Sequence, residues 1–128
     1  FFLRLLLGIS SEKQAVLADP QVAAWQAECE RNEGLACGNL GALYFTGKGV
    51  APDEAKAFGY YEKACQLGQG ARCLRAGVLA VNGRGTALSV EKSADLFLKG
   101  CNLFELESCA NYLLLTTIDT IGLLRMIW

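Results

Sequence analysis

The run Cys37-Gly38-Asn39-Leu40-Gly41-Ala42-Leu43-Tyr44-Phe45-Thr46-Gly47-Lys48-Gly49-Val50-Ala51-Pro52-Asp53 decides the fold, because its marker residues return 36 positions later. Gly41, Gly47 and Gly49 recur as Gly77, Gly83 and Gly85; further on, Tyr61, Lys63 and Leu67 recur as Phe97, Lys99 and Leu103. The cysteines keep the same register, Cys29 with Cys65 and Cys101, and Cys37 with Cys73 and Cys109. A fixed period of this size is the mark of stacked helical hairpins. The expected fold class is therefore all-α, a solenoid of 36-residue helix-turn-helix repeats.

Local signals place the helices. Asp19-Pro20 reads as a helix start, with Asp capping free amides and Pro tolerated in the first turn. That helix is expected to run to about Arg31 and puts Trp25 at the repeat position held later by Tyr61 and Phe97. After the Asn32-Glu33-Gly34 turn, a helix over Leu35 to Thr46 shows Leu40, Leu43 and Tyr44 on one face. Gly47-Lys48-Gly49 ends it, since glycine accepts the left-handed backbone of a helix C-terminus. Asp53 starts the return helix, which carries Ala57, Tyr60, Tyr61 and Ala64 inward and ends near Leu67. The cycle repeats with Arg72 to Asn82, Gly83-Arg84-Gly85, and Ser89 to Leu103, Ser89 standing where Asp53 stood. A third unit begins at Glu107 to Leu115 and then leaves the pattern, since Asp119 and Ile121 stand where glycines are expected.

The expected division is residues 1–18, a signal-peptide remnant or an amphipathic cap; 19–115, the solenoid, with repeats at about 35–70 and 71–106 and partial units at each end; and 116–128, an apolar tail or cap. The tail, interrupted by Asp119 and Arg125, ranks as a capping helix ahead of a membrane span, which needs about 18 apolar residues with few charges. Non-native residues after a truncated reading frame are a third possibility. Met126 is the only methionine, so the chain is expected to be processed or part of a longer frame.

Composition removes several function classes. A net charge of −1 with no basic run argues against nucleic acid. The absence of histidine removes Ser-His and Cys-His catalysis and most zinc chemistry. Gly47-Lys48-Gly49 lacks the Ser or Thr that follows Lys in a phosphate-binding loop, so no cofactor is expected.

Six cysteines in a short chain point to disulfides and an oxidising compartment. Each hairpin carries one Cys-(seven residues)-Cys unit, so the local pairs Cys29–Cys37, Cys65–Cys73 and Cys101–Cys109 are the economical choice. Buried free thiols in a cytosolic protein are the alternative. A metal site is disfavoured, because ligand pairs usually sit about two to four residues apart. Each link across a short turn would contribute about 2–3 kcal/mol by constraining the unfolded chain.

The string Cys37 to Asp53, followed by Ala57-Phe58-Gly59-Tyr60-Tyr61-Glu62-Lys63-Ala64-Cys65, resembles the Sel-one-like repeat (SLR), a relative of the tetratricopeptide repeat. With one Cys pair per unit, it is similar to the Helicobacter cysteine-rich protein family over about residues 29–113. The resemblance implies a right-handed α/α superhelix whose disulfides lock the end of one repeat to the start of the next. It also implies a protein- or peptide-binding scaffold, periplasmic or secreted, with the mitochondrial intermembrane space as the alternative. Leu88 in place of Pro52, and Leu113 in place of the glycine at Gly41 and Gly77, depart from the pattern.

In such arrays the first helix of each unit lines the concave face where partners bind. This makes Asn39, Thr46, Arg75, Asn82 and Asn111 the candidate partner-binding residues. Side-chain amides there can bond an extended peptide's backbone, and Arg75 can fork a carboxylate. The same positions can equally be solvated surface with no partner.

The alternative function is weak penicillin binding or β-lactamase-type hydrolysis, linked to the cysteine-rich family. Two Ser-x-x-Lys strings exist, Ser10 to Lys13 and Ser89 to Lys92, but no Ser-Asp-Asn or Lys-Thr-Gly accompanies them. Ser89 aligns with the Asp53 cap, so no catalytic residue is assigned. An assembly factor for cysteine-rich clients is a third reading; it requires accessible thiols.

Overall fold

The computed structural model of the chain describes residues 19–127, with side chains to residue 118. Six helices and no strand occur among them: α1 (Pro20–Glu30), α2 (Gly34–Thr46), α3 (Glu54–Gln66), α4 (Gly70–Asn82), α5 (Val90–Asn102) and α6 (Leu106–Ile127). Each packs against its neighbours in sequence, so α2 with α3 and α4 with α5 form two successive hairpins. The all-α solenoid expected from the period is the fold observed. The expectations for residues 1–18, including the Ser10–Lys13 string, lie outside the described residues, as do those for the side chains of Asp119, Ile121 and Arg125.

The two kinds of turn recur with their bonding. Each hairpin turn begins at a glycine in the left-handed region, Gly47 (φ 74°) or Gly83 (φ 66°). Asp53 N–H then donates to the Tyr44 carbonyl at 2.9 Å, and Ser89 N–H to the Ala80 carbonyl at 3.0 Å. Pro52 packs on Gly47, and Leu88 takes the same place against Gly83. The departure at Leu88 therefore keeps the contact and gives up only the fixed proline φ. The caps at the next helix are equivalent, Asp53 Oδ1 accepting from Lys56 N and Ser89 Oγ from Lys92 N, each at 3.0 Å.

Between units the chain turns through Asn32, Gly68 and Phe104, all with positive φ (65°, 94° and 65°). The residues after them, Glu33, Gln69 and Glu105, donate backwards to the carbonyls of Glu28, Ala64 and Gly100 at 3.0, 3.0 and 2.9 Å. This is a Schellman closure repeated three times. It folds the last turn of one helix onto the first turn of the next. There the cysteines pair: Cys29–Cys37, Cys65–Cys73 and Cys101–Cys109, with Cα separations of 4.8, 4.5 and 4.5 Å. No cysteine is free, which leaves the free-thiol and assembly-factor readings without the thiols they need.

The core runs along the hairpins. Leu40 and Tyr44 of α2 meet Ala57, Phe58, Tyr61 and Ala64 of α3, all buried; Tyr60 is half-buried and stacks on Tyr44 with centroids 5.8 Å apart. Close helix packing depends on two glycines. A Cβ on Gly41 would stand 2.5 Å from the Tyr61 ring, and one on Gly77 2.5 Å from Phe97. In α6 the equivalent position is Leu113, 62% exposed. That helix continues past Leu115 to Ile127 without a break. No helix among the described residues is long and apolar enough to cross a membrane.

Candidate functional site: a row of cavities along the first helices

The aromatic residues at the repeated position, Trp25, Tyr61 and Phe97, each form the wall of one cavity. The first cavity, about 250 Å³, is lined by Trp25, Asn39, Ala42, Leu43, Thr46 and Lys48. The central one, about 300 Å³, is lined by Tyr61 with residues of α2 and α4, among them Thr46, Arg75 and Val78. The third, about 260 Å³, lies between α4 and α6 against Phe97, with Asn111, Leu114 and Leu115. Ala42 and Thr46 line both the first and the central cavity, and Val78 lines both the central and the third. The three lie side by side along α2, α4 and α6 with shared walls, and are called the groove below.

Four of the five sequence-predicted residues stand in this groove. Asn39, Arg75 and Asn111, one period apart, supply one polar side chain to each cavity, and Thr46 borders two. Asn82 stands apart from all three; its Nδ2 donates to the Val78 carbonyl at 2.9 Å, within its own helix. Thr46 Oγ1 likewise donates to the Ala42 carbonyl at 2.9 Å, leaving its lone pairs as the free function.

The central cavity is charged in a way the sequence did not reveal. Arg72, Arg75 and Arg84 all line it, beside Phe45 and Tyr61. The Arg72 guanidinium stands over the Tyr61 ring, 5.6 Å from its centroid, and that of Arg84 over Phe45 at 5.2 Å. Arg84 Nε also donates to Glu54 Oε1 at 3.0 Å, and Nη2 reaches the same oxygen. Gly85 makes this placement possible, because its missing side chain lets the α4–α5 turn touch the Glu54 backbone. Burial pushes the Tyr61 hydroxyl above the usual phenol range, against a smaller lowering by Arg72 and Arg75, so the ring stays neutral at physiological pH.

The alternative chemistry at Ser89 meets a specific geometry. Its Oγ accepts the Lys92 backbone amide, while Lys92 Nζ lies over the Phe58 ring, 5.4 Å from its centroid. The lysine that would activate the serine is engaged elsewhere, and the hydroxyl is a helix cap. Among the described residues no three His, Cys, Asp or Glu side chains converge as a metal site would require.

Residues 34–69, from the start of α2 to the turn before α4, match the family model described as the Sel1 repeat. This stretch is a Sel1 repeat. The Sel1 unit corresponds to the α2–α3 hairpin, and α4–α5 repeats it one period on. The structure resembles that of Helicobacter pylori cysteine rich protein B, with TM-score 0.65 and 35% identity over 67% of this chain and 65% of the other. It also resembles a Sel1 repeat protein from Oxalobacter formigenes, with TM-score 0.66 and 22% identity over 69% of this chain and 36% of the other, a likeness of fold alone. The chain thus spans just under two thirds of the Helicobacter protein and about a third of the Oxalobacter one. No curated protein matches the sequence.

Proposed function

We propose that this Sel1-repeat chain is a binding scaffold, exported to a periplasmic or extracellular compartment, that holds an extended peptide or protein segment in the groove along α2, α4 and α6. The observation that carries the reading is the placement of Asn39, Arg75 and Asn111, one in each of three contiguous cavities. An extended chain offers backbone groups at regular intervals, and a solenoid meets it with polar side chains at regular intervals. The aromatic walls supply apolar contact between those polar points. Export is supported by three disulfides that persist only where thiols are not kept reduced, and by the likeness to the cysteine-rich Helicobacter protein.

The test is panning of a displayed random-peptide library on the oxidised chain. Affinities of enriched peptides are then measured for the wild type and for Asn39→Ala, Arg75→Ala and Asn111→Ala. Several-fold weaker binding in each variant, at unchanged thermal stability, is the expected result. Failure to enrich any peptide, or affinities indifferent to all three substitutions, would overturn the reading.

A further inference from the structure

We propose that the central cavity selects an acidic side chain, Asp or Glu, carried within an extended peptide that places an apolar residue in the third cavity. The inference rests on the groove being the binding face, and adds what the groove prefers.

Three arginines line one cavity of about 300 Å³, and the carboxylate beside them, Glu54, already receives two bonds from Arg84. Arg72 is held over Tyr61, whose ring offers no charge to neutralise it. Arg75 is exposed, and no carboxylate among the described residues pairs with it. The cavity therefore keeps an excess of positive charge, with one guanidinium fork uncommitted. A carboxylate accepts two parallel N–H bonds from such a fork, and Phe45, Val78 and Tyr61 offer apolar contact beside it.

The two flanking cavities decide which carboxylate fits. A further cavity adjoins the central one on each side, so a bound chain has room before and after the arginines. A chain-terminal carboxylate would stop there and leave one of the flanking cavities empty. The third cavity is lined by Val78, Val81, Phe97, Leu114 and Leu115 and suits an aliphatic or aromatic side chain. Like charges in the peptide would be repelled by the same arginines, which makes the cavity selective as well as attractive.

The probes are two fluorescent nonapeptide pools, acetylated and C-terminally amidated, with random neutral flanks and a fixed central Glu or Gln, titrated into the oxidised full chain. The Glu pool is expected to bind about tenfold more tightly than the Gln pool, with the margin shrinking as salt is raised. Arg75→Gln should erase the margin, with Glu-pool affinity falling further than Gln-pool affinity. Equal binding of both pools overturns the acidic preference and leaves the scaffold intact. So does binding by a third, non-amidated Gln pool that matches or exceeds that of the amidated Glu pool. Absence of binding by every pool overturns the scaffold reading and this inference together.

Discussion

The Phe97 ring occupies the space that a side chain on Gly77 would need, with a Cβ there standing 2.5 Å from the ring. Tyr61 and Gly41 repeat the relationship one unit earlier, at the same 2.5 Å. Helix α4 can lie against α5, and α2 against α3, because one residue at the crossing has no side chain. Since the same rings wall the groove, the packing that joins each hairpin also shapes the groove.

Gly77→Ala should therefore destabilise the chain despite alanine's better helix propensity. Overpacking costs about 1–3 kcal/mol and outweighs the propensity gain of about 1 kcal/mol. Gly59, also within a helix, has open space around it. Gly59→Ala should stabilise by about 0.5–1 kcal/mol. Thermal denaturation of the two variants should give shifts of opposite sign.

Ser89→Ala should cost about 1 kcal/mol, the usual loss of a cap, whereas Ser89→Asp should retain wild-type stability. Asp53 performs the same capping in the preceding unit, accepting Lys56 N at 3.0 Å. Nitrocefin hydrolysis measured alongside separates the two roles. A nucleophile at this position would lose turnover in both variants, while a cap would leave any trace rate untouched.

Two buried serines should respond in opposite directions. Ser93 Oγ donates to the Gly77 carbonyl at 2.7 Å, so Ser93→Ala should lower stability by about 1 kcal/mol. Ser108 is fully buried, and its Oγ has no hydrogen-bond partner. Ser108→Ala removes an unsatisfied hydroxyl, and the aligned residue in the first hairpin is the buried Ala36. An increase of about 1 kcal/mol is expected from denaturant melts.

The disulfides should open in order. Cys29, Cys37, Cys65 and Cys73 are 2% exposed or less, while Cys101 and Cys109 are only partly buried. Attack by a thiolate needs access to sulfur. Under limiting reductant, alkylation and peptide mapping should find label first on Cys101 and Cys109. Early label on Cys65 or Cys73 would mean that the unit interfaces open more readily than the packing implies.

Much of this architecture was legible in the repeat. Helix starts at Asp19, Asp53 and Ser89 and the stops at Gly47 and Gly83 follow from local backbone chemistry that each unit restates. The groove was half legible: Asn39, Arg75 and Asn111 could be placed by register alone. Asn82 could not, because an amide near a helix end can turn back to its own backbone, and it does so to Val78. Arg84 was hidden in a glycine turn, and only the contact between Gly85 and Glu54 brings it to the groove. Phe104 carries no turn signal, yet adopts the left-handed conformation shared with Asn32 and Gly68, since the Schellman closure dictates it. A helical tail agrees with the capping-helix expectation, but its continuity with α6 was not legible, because the missing glycines end the repeat pattern while leaving nothing to stop the helix.

The most direct test of the account is amide chemical-shift mapping of the oxidised, isotope-labelled chain titrated with a peptide enriched by panning. The account predicts shifts concentrated on α2, α4 and α6 around Asn39, Arg75 and Asn111. Shifts concentrated instead on α3 and α5, around the exposed positions Gly59 and Asp95, would contradict it.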